Sequence, residues 1–297
     1  MRCLITGGAG FIASHLAETL RNQNHEVILF DIRNIPTESP LIEDDIRDTA
    51  LLTNALRDHR TEAVFHLAAL PGVRLSVREP KRAIDINVQG TTSVLESARL
   101  AGVRKLTFVS SSSVYGLGLP MPFQEDTTPT LPISPYTASK LAGEALCHAY
   151  SRLYNLPITV TRLFTVYGPR QRPDLAFHKF IAAIAAGQPI PIYGNGDSRR
   201  DYTYCTDAAR ALAATLQLTT PFEIVNIASG RAIPLTEVIG AIEAVANRPA
   251  LREHIPHQPG DVDATFADIT KAARILHYTP SVSLLDGIRA QWQWQTR

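Results

Sequence analysis

Five short runs of apolar, often β-branched residues, separated by helix-length segments, constrain this chain's fold more than any other feature. The runs are Cys3–Thr6, Val27–Phe30, Ala63–Leu67, Leu106–Val109 and Ile158–Leu163, each four to six residues long. Near-continuous apolar runs of this length suit strands covered on both faces, as in a parallel sheet. Helical patterns lie between them at Ile12–Asn22, Thr49–His59, Ala83–Ala101 and Ser139–Tyr154. A β-α-β-α series requires right-handed crossovers, which place helices on both sides of the sheet. The expected fold class is therefore α/β, with a doubly wound parallel sheet.

Beyond Tyr167 the alternation breaks. Gly168, Pro169, Pro173, Pro189, Pro191, Gly194 and Gly196 interrupt it, as excursions away from a sheet would. Helical patterns at Thr206–Gln217, Leu235–Ala246 and Thr270–Leu276 then mix with strand-like Ile190–Tyr193 and Glu223–Ile227. Residues 1–166 are read as the sheet domain, with a return segment near 205–227. Residues 167–297 are read mainly as a smaller C-terminal domain.

Charge and cysteine usage exclude several functions. The 297 residues carry 29 Lys and Arg against 28 Asp and Glu, with no run of like charge. That balance leaves no electrostatic footprint for a nucleic acid or a membrane surface. Cys3, Cys147 and Cys205 are far apart and form no CxxC pair, so neither a metal site nor a disulfide framework is expected. Met1–Thr6 runs straight into strand-like sequence, with no apolar signal core ahead of it and no stretch near the roughly 18 apolar residues of a membrane span. A reducing, cytoplasmic location is expected.

The turn after the first run is Thr6-Gly7-Gly8-Ala9-Gly10-Phe11-Ile12-Ala13. Between a strand and a helix, Gly7 allows a tight turn and Gly10 lets the backbone approach a pyrophosphate, with the free N–H groups of the helix start facing it. Ala13 stands where a third glycine is usual. Asp31 ends the second run about 20 residues on, where a carboxylate binds adenosine ribose hydroxyls and repels a 2′-phosphate. NAD is expected over NADP, although Arg33 points the other way. The reading becomes a Rossmann-type domain for NAD with a smaller substrate-binding domain.

Two further stretches carry reactive groups. Ser134-Pro135-Tyr136-Thr137-Ala138-Ser139-Lys140 opens a helix, with Tyr136 and Lys140 four apart on one face. A nearby ammonium favours the phenolate and makes a phenol a usable general base. Upstream, Ser110-Ser111-Ser112-Ser113-Val114-Tyr115-Gly116 leaves the fourth run at its C-terminal end, the edge where open α/β sheets bind ligands.

The glycine turn, Asp31, His66-Leu67-Ala68-Ala69, Asn87, the serine run and YxxxK together resemble the extended short-chain dehydrogenase family over nearly the whole chain. The resemblance implies Ser111 as the catalytic hydroxyl, Tyr136 as the base and Lys140 as the lysine on the nicotinamide ribose. It places Gly7, Gly10, Phe11, Ile12, Asp31, Ile32, Asp45, Ile46, Leu67, Ala68, Ala69, Asn87 and Phe164 around NAD. Dehydratases of the family carry an Asp-Glu pair where Ser112 and Ser113 stand here, and uronate decarboxylases carry a glutamate in this segment. Neither serine is a strong acid, so elimination is disfavoured and 4-epimerisation of a nucleotide sugar through a 4-keto intermediate is expected.

The stretches Arg162–Asp174, Gly72–Ser76 and Gln258-Pro259-Gly260-Asp261 are most similar to those of UDP-glucuronate 4-epimerases. Arg74, Ser112, Ser113, Thr165, Arg172, Phe177, Arg200 and Asp261 are the implied substrate contacts. Arg199-Arg200-Asp201-Tyr202 resembles the family's diphosphate clamp, and the resemblance also implies a homodimer. Two alternatives stay open: a 4-epimerase of a neutral or deoxy nucleotide sugar, and a nucleotide-binding module without turnover.

Overall fold

The computed structural model describes residues 1–127, 131–256 and 264–297. Strands β1 (Arg2–Thr6), β2 (Glu26–Asp31), β3 (Leu41–Glu43), β4 (Ala63–His66), β5 (Lys105–Ser111) and β6 (Ile158–Leu163) are followed by four shorter ones. These are β7 (Thr165–Tyr167), β8 (Ile190–Tyr193), β9 (Arg199–Arg200) and β10 (Tyr202–Tyr204). The chain then returns through β11 (Phe222–Ile227). A seven-stranded sheet has the order β11-β6-β5-β4-β1-β2-β3, and every neighbouring pair is parallel.

The helices before β5 are α1 (Phe11–Asn22), α2 (Thr49–Asp58), α3 (Val73–Arg78), α4 (Pro80–Ile84) and α5 (Gly90–Ala101). Those after it are α6 (Pro135–Tyr154), α7 (Ala176–Ala185), α8 (Cys205–Ala214), α9 (Leu235–Ala246), α10 (Thr270–Leu276) and α11 (Leu284–Gln295). Successive strand residues enter opposite cores, as a period of two requires. Cys3, Ile5, Val27 and Leu29 pack with Leu16, Leu20 and Leu212 of α1 and α8. Leu4, Ile28 and Phe30 pack on the other face with Leu52, Val94 and Cys147 of α2, α5 and α6. Each fully buried aliphatic or aromatic side chain contributes about 1.5–3 kcal/mol, which explains why unbroken apolar runs become central strands. A third core around Phe177, Phe180, Ile239 and Ile288 joins α7, α9 and α11. Among the described residues, no helix is long and apolar enough to cross a membrane.

Strand order reverses between β1 and β4: the chain winds outward through β2 and β3, then returns to β4 and continues through β5 and β6. A crevice opens outside the strand ends at such a switch point. The glycine turn after β1 and residues 67–70 after β4 flank it.

One expected helix is divided. The stretch Ala83–Ala101 is α4 and α5 joined by a π turn, Asp85–Gln89, which carries Asn87. The Asn87 amide ties this turn to the loop after β4 and to α6, a constraint invisible to local periodicity. Helix α6 starts at Pro135, within the stretch expected to open it, because the Ser134 hydroxyl accepts from the Thr137 N–H at 3.1 Å and proline suits the first helical position.

Candidate active site

Gly7 has φ +70°, and a Cβ there would lie 2.7 Å from the Ala68 backbone nitrogen. A side chain would push β1 away from the loop after β4, so only glycine closes the crevice this tightly. Gly10 precedes α1 with no side-chain cap and no acidic residue in the first turn, which leaves its amides open to an anion. Asp31, 7% exposed, accepts from the Ala9 N–H at 3.0 Å and from the Arg33 N–H and Nε at 3.0 and 3.3 Å. It therefore braces the turn from the end of β2. Phe11, Ile12, Leu67, Ala68 and Ala69 are half-buried around the same crevice, and Ile32 is exposed at its rim. A dinucleotide fits this cradle: a tight turn, an uncapped helix start and a carboxylate at the β2 end.

Several other residues expected around the dinucleotide serve the scaffold through their side chains. Ile46 is 5% exposed, and a Cβ on Gly90 would lie 2.6 Å from its Cδ1. Asp45 and Asp85 both pair with Arg47, and the Arg47 hydrogen bond holds the Asp45 carboxyl below its ordinary range. Asn87 accepts from the Leu70 N–H at 2.7 Å and donates to the Leu70 carbonyl and Ser139 Oγ at 3.2 and 2.9 Å. Phe164 is 4% exposed and packs with Tyr115 and Phe123.

Ser111, Tyr136 and Lys140 do come together. Ser111 ends β5 and caps a 3-10 turn, Ser112–Tyr115, accepting from the Ser113 N–H at 3.2 Å. Burial raises the Tyr136 phenol, opposed by the neighbouring Ser111 side chain and by the charge of Arg172. Lys140 donates to the Val109 carbonyl at 2.8 Å and lies 6.0 Å from the Tyr136 ring centre, and the Arg172 charge also favours the phenolate. Burial lowers Lys140 itself to about 8.

On the facing side, Thr165 of β7 is exposed, and its N–H donates to the Asp201 carbonyl at 3.1 Å. Arg172 forms a fork on Asp174 at 2.9 and 2.7 Å. Arg74 of α3 is exposed and places its guanidinium 5.4 Å from the Tyr193 ring centre, joining the two halves of the molecule across the cleft. Arg200, half-buried on β9, donates to the Arg199 carbonyl at 2.8 Å. Beside it Asp201 is a strut, accepting from Ser229 N–H and Oγ and from Gly230 N–H at 2.6, 2.7 and 2.9 Å. Phe177 is a correction: at 1% exposure, stacked on Tyr167 at 4.6 Å, its side chain belongs to the core, because α7 turns that face inward. Asp261, with Gln258–Gly260, lies outside the described residues.

One feature escaped the sequence reading. Glu144 and Arg162, 8% and 2% exposed at their side chains, form an ion pair at 2.8 Å directly beneath the serines. Glu144 stands eight residues after Tyr136, on the same helical stripe, a spacing that signalled it.

The NAD dependent epimerase/dehydratase family model matches residues 3–228. The chain belongs to that family. It is similar to the UDP-glucuronate 4-epimerase of Thermodesulfobacterium geofontis, 36% identical over 98% of this chain and 95% of that one. Among solved structures it is similar to UDP-glucuronic acid 4-epimerase from Bacillus cereus in complex with UDP-glucuronic acid and NAD (TM-score 0.92, 35% identity, covering 100% of this chain and 99% of that one). It is also similar to UDP-glucose 4-epimerase with UDP-glucose from Thermotoga maritima (TM-score 0.94, 32% identity, covering 99% and 98%). This protein is an NAD-dependent nucleotide-sugar 4-epimerase.

Proposed function

We propose that the enzyme interconverts UDP-glucuronate and UDP-galacturonate. The observation that carries the uronate reading is the serine turn. Ser112 and Ser113 replace the acid pair of a dehydratase, and the Ser113 hydroxyl is buried with no hydrogen-bond partner among the described residues. An orphan hydroxyl beside the reacting pair calls for a polar ligand group, because an unpaired buried donor costs about 1–3 kcal/mol. A sugar carboxylate meets that need, with Thr165 exposed on β7 nearby in the fold.

In this reading, the sheet domain of residues 1–166 holds NAD and residues 167–297 mainly hold the nucleotide sugar, with Arg200 on the diphosphate. NAD bound there would supply the hydride acceptor for oxidation at the sugar C4 and the hydride donor for its reduction from the opposite face. Tyr136 takes the proton of the 4-hydroxyl, relayed through Ser111, as C4 becomes a ketone, and gives it back on reduction. The Arg172 charge partly offsets the burial that raises the phenol. Lys140, fixed by the Val109 carbonyl, is placed to meet the nicotinamide ribose. The Ser112–Ser113 turn keeps the carboxylate out of the alignment in which a 4-keto uronate loses carbon dioxide.

The test is incubation of the purified enzyme with UDP-glucuronate, without added NAD, followed by product identification. UDP-galacturonate is expected. A pentose product overturns the carboxylate-holding role of the serine turn, and turnover of UDP-glucose alone overturns the uronate reading.

A further inference from the structure

We propose that Glu144 is a positioning residue for the reaction: through Ser110 it holds the end of β5 against α6, and so fixes the Ser111 hydroxyl beside Tyr136. The proposal rests on the reading that Ser111 and Tyr136 act on the substrate hydroxyl. Tyr136, Lys140 and Glu144 stand at four-residue intervals on α6, so one stripe of the helix faces one strand end. Each meets a different one of three consecutive β5 residues. Tyr136 has the Ser111 side chain beside its phenol, Lys140 donates to the Val109 carbonyl at 2.8 Å, and the Ser110 hydroxyl donates to Glu144 Oε1 at 2.5 Å. Two of these three rungs belong to groups with a role in the reaction. The third joins a residue that is 3% exposed to one that is 7% exposed.

Arg162 makes the third rung rigid. From β6, its Nε donates to Glu144 Oε1 at 3.1 Å and its Nη2 to Oε2 at 2.8 Å, a fork that sets the plane of the carboxylate. The same guanidinium lies 4.8 Å from the Tyr115 ring centre and donates to the Glu125 carbonyl at 3.4 Å. Tyr115 closes the 3-10 turn that begins just after Ser111. Glu144 is thus tied to both sides of the reacting serine: directly to Ser110 before it, and through Arg162 to the turn after it. A buried pair of this kind adds little net stability, since desolvation cancels most of its attraction, whereas its fixed geometry is what a reacting hydroxyl needs. The Glu144 charge also opposes the burial that lowers Lys140.

The experiment compares Ser110→Ala, Glu144→Gln and Tyr136→Phe with the wild type, using whichever of UDP-glucuronate and UDP-glucose the wild type turns over. Ser110→Ala keeps the ion pair and removes only the rung. It is expected to lower kcat about tenfold while KM stays within about twofold. In Glu144→Gln the lost negative charge lets Lys140 release its proton at lower pH. The alkaline limb of the kcat profile is therefore expected to move down by about half a pH unit or more. A purely structural role would leave that limb in place. Wild-type kcat in Ser110→Ala, a kcat loss matched by KM, or an unmoved alkaline limb in folded Glu144→Gln overturns the proposal. Should Glu144→Gln fail to fold, Ser110→Ala decides alone. Full activity in Tyr136→Phe sinks the reading of the reacting pair itself, whereas an inactive Tyr136→Phe beside a normal Ser110→Ala sinks only the third rung.

Discussion

Acidification from pH 7 to pH 5 sets His66 against its own hydrogen bonds. His66 ends β4 at 1% exposure, between Thr6 and Thr91. The Thr91 hydroxyl donates its one hydrogen to the Asn87 carbonyl at 2.6 Å, so it must accept from His66 Nε2 at 3.0 Å. That leaves Nδ1 as acceptor from the Thr6 hydroxyl at 2.8 Å, and a second proton there would force that hydroxyl to give up its donor role. Burial, with a further push from the Lys140 charge, lowers His66 from 6.5 to about 3. The folded value lies below the unfolded one, so the unfolded chain takes the extra proton first, and stability present above pH 6.5 is lost as the pH falls toward 3. Between pH 7 and pH 5 the loss from this group alone is about 2 kcal/mol. That figure barely depends on the folded value, because at pH 5 only the unfolded chain is protonated. Urea unfolding of the wild type and His66→Gln at pH 7, 6 and 5 isolates the effect, since glutamine does not titrate. The wild type is expected to lose about 2 kcal/mol more than the variant across the interval. A difference below about 0.5 kcal/mol would refute the assignment of a buried, neutral His66.

Gly7→Ala, forced to φ +70° with its Cβ against Ala68, is expected to lose bound NAD on purification and at least about 1 kcal/mol of stability, read by cofactor absorbance and thermal melting. Phe177→Ala opens a core cavity and should cost about 3–5 kcal/mol in denaturant unfolding; a change in KM with unaltered stability would show that the ring lines the site instead. Arg172→Met removes the positive charge that counters burial at Tyr136. The phenol then rises, and the acid limb of the kcat profile should move to higher pH; a fixed limb would show that Arg172 does not tune the base.

The parts of this protein legible from sequence are those with a local cause. Apolar runs became buried parallel strands because nothing else satisfies both their side chains and their backbones at that length. The glycine turn was legible because Gly7 needs a conformation other residues avoid, and Asp31 because its distance from the turn places it at the next strand end. Tyr136 and Lys140 were legible because four residues is one helical step. Glu144 obeys the same step and was passed over, since a single acidic residue on a helix is ordinarily solvated.

Alternation and spacing by themselves thus determined the fold class, the crevice and the Tyr136–Lys140 stripe of one helix, because each follows from periods and turns within a few residues of chain. Tertiary structure alone decided how charges and side chains are used. It placed Lys140 on the Val109 carbonyl and brought the Arg172 charge to bear on the phenol, although Arg172 lies 36 residues from Tyr136 in the chain. It turned Phe177 into the core, made Asn87 a strut within a π turn and buried Glu144 against Arg162. The physical reason is range: hydrogen-bond periods and glycine strain act along the chain, whereas desolvation and Coulomb fields depend on what packs nearby in space, wherever it lies in sequence.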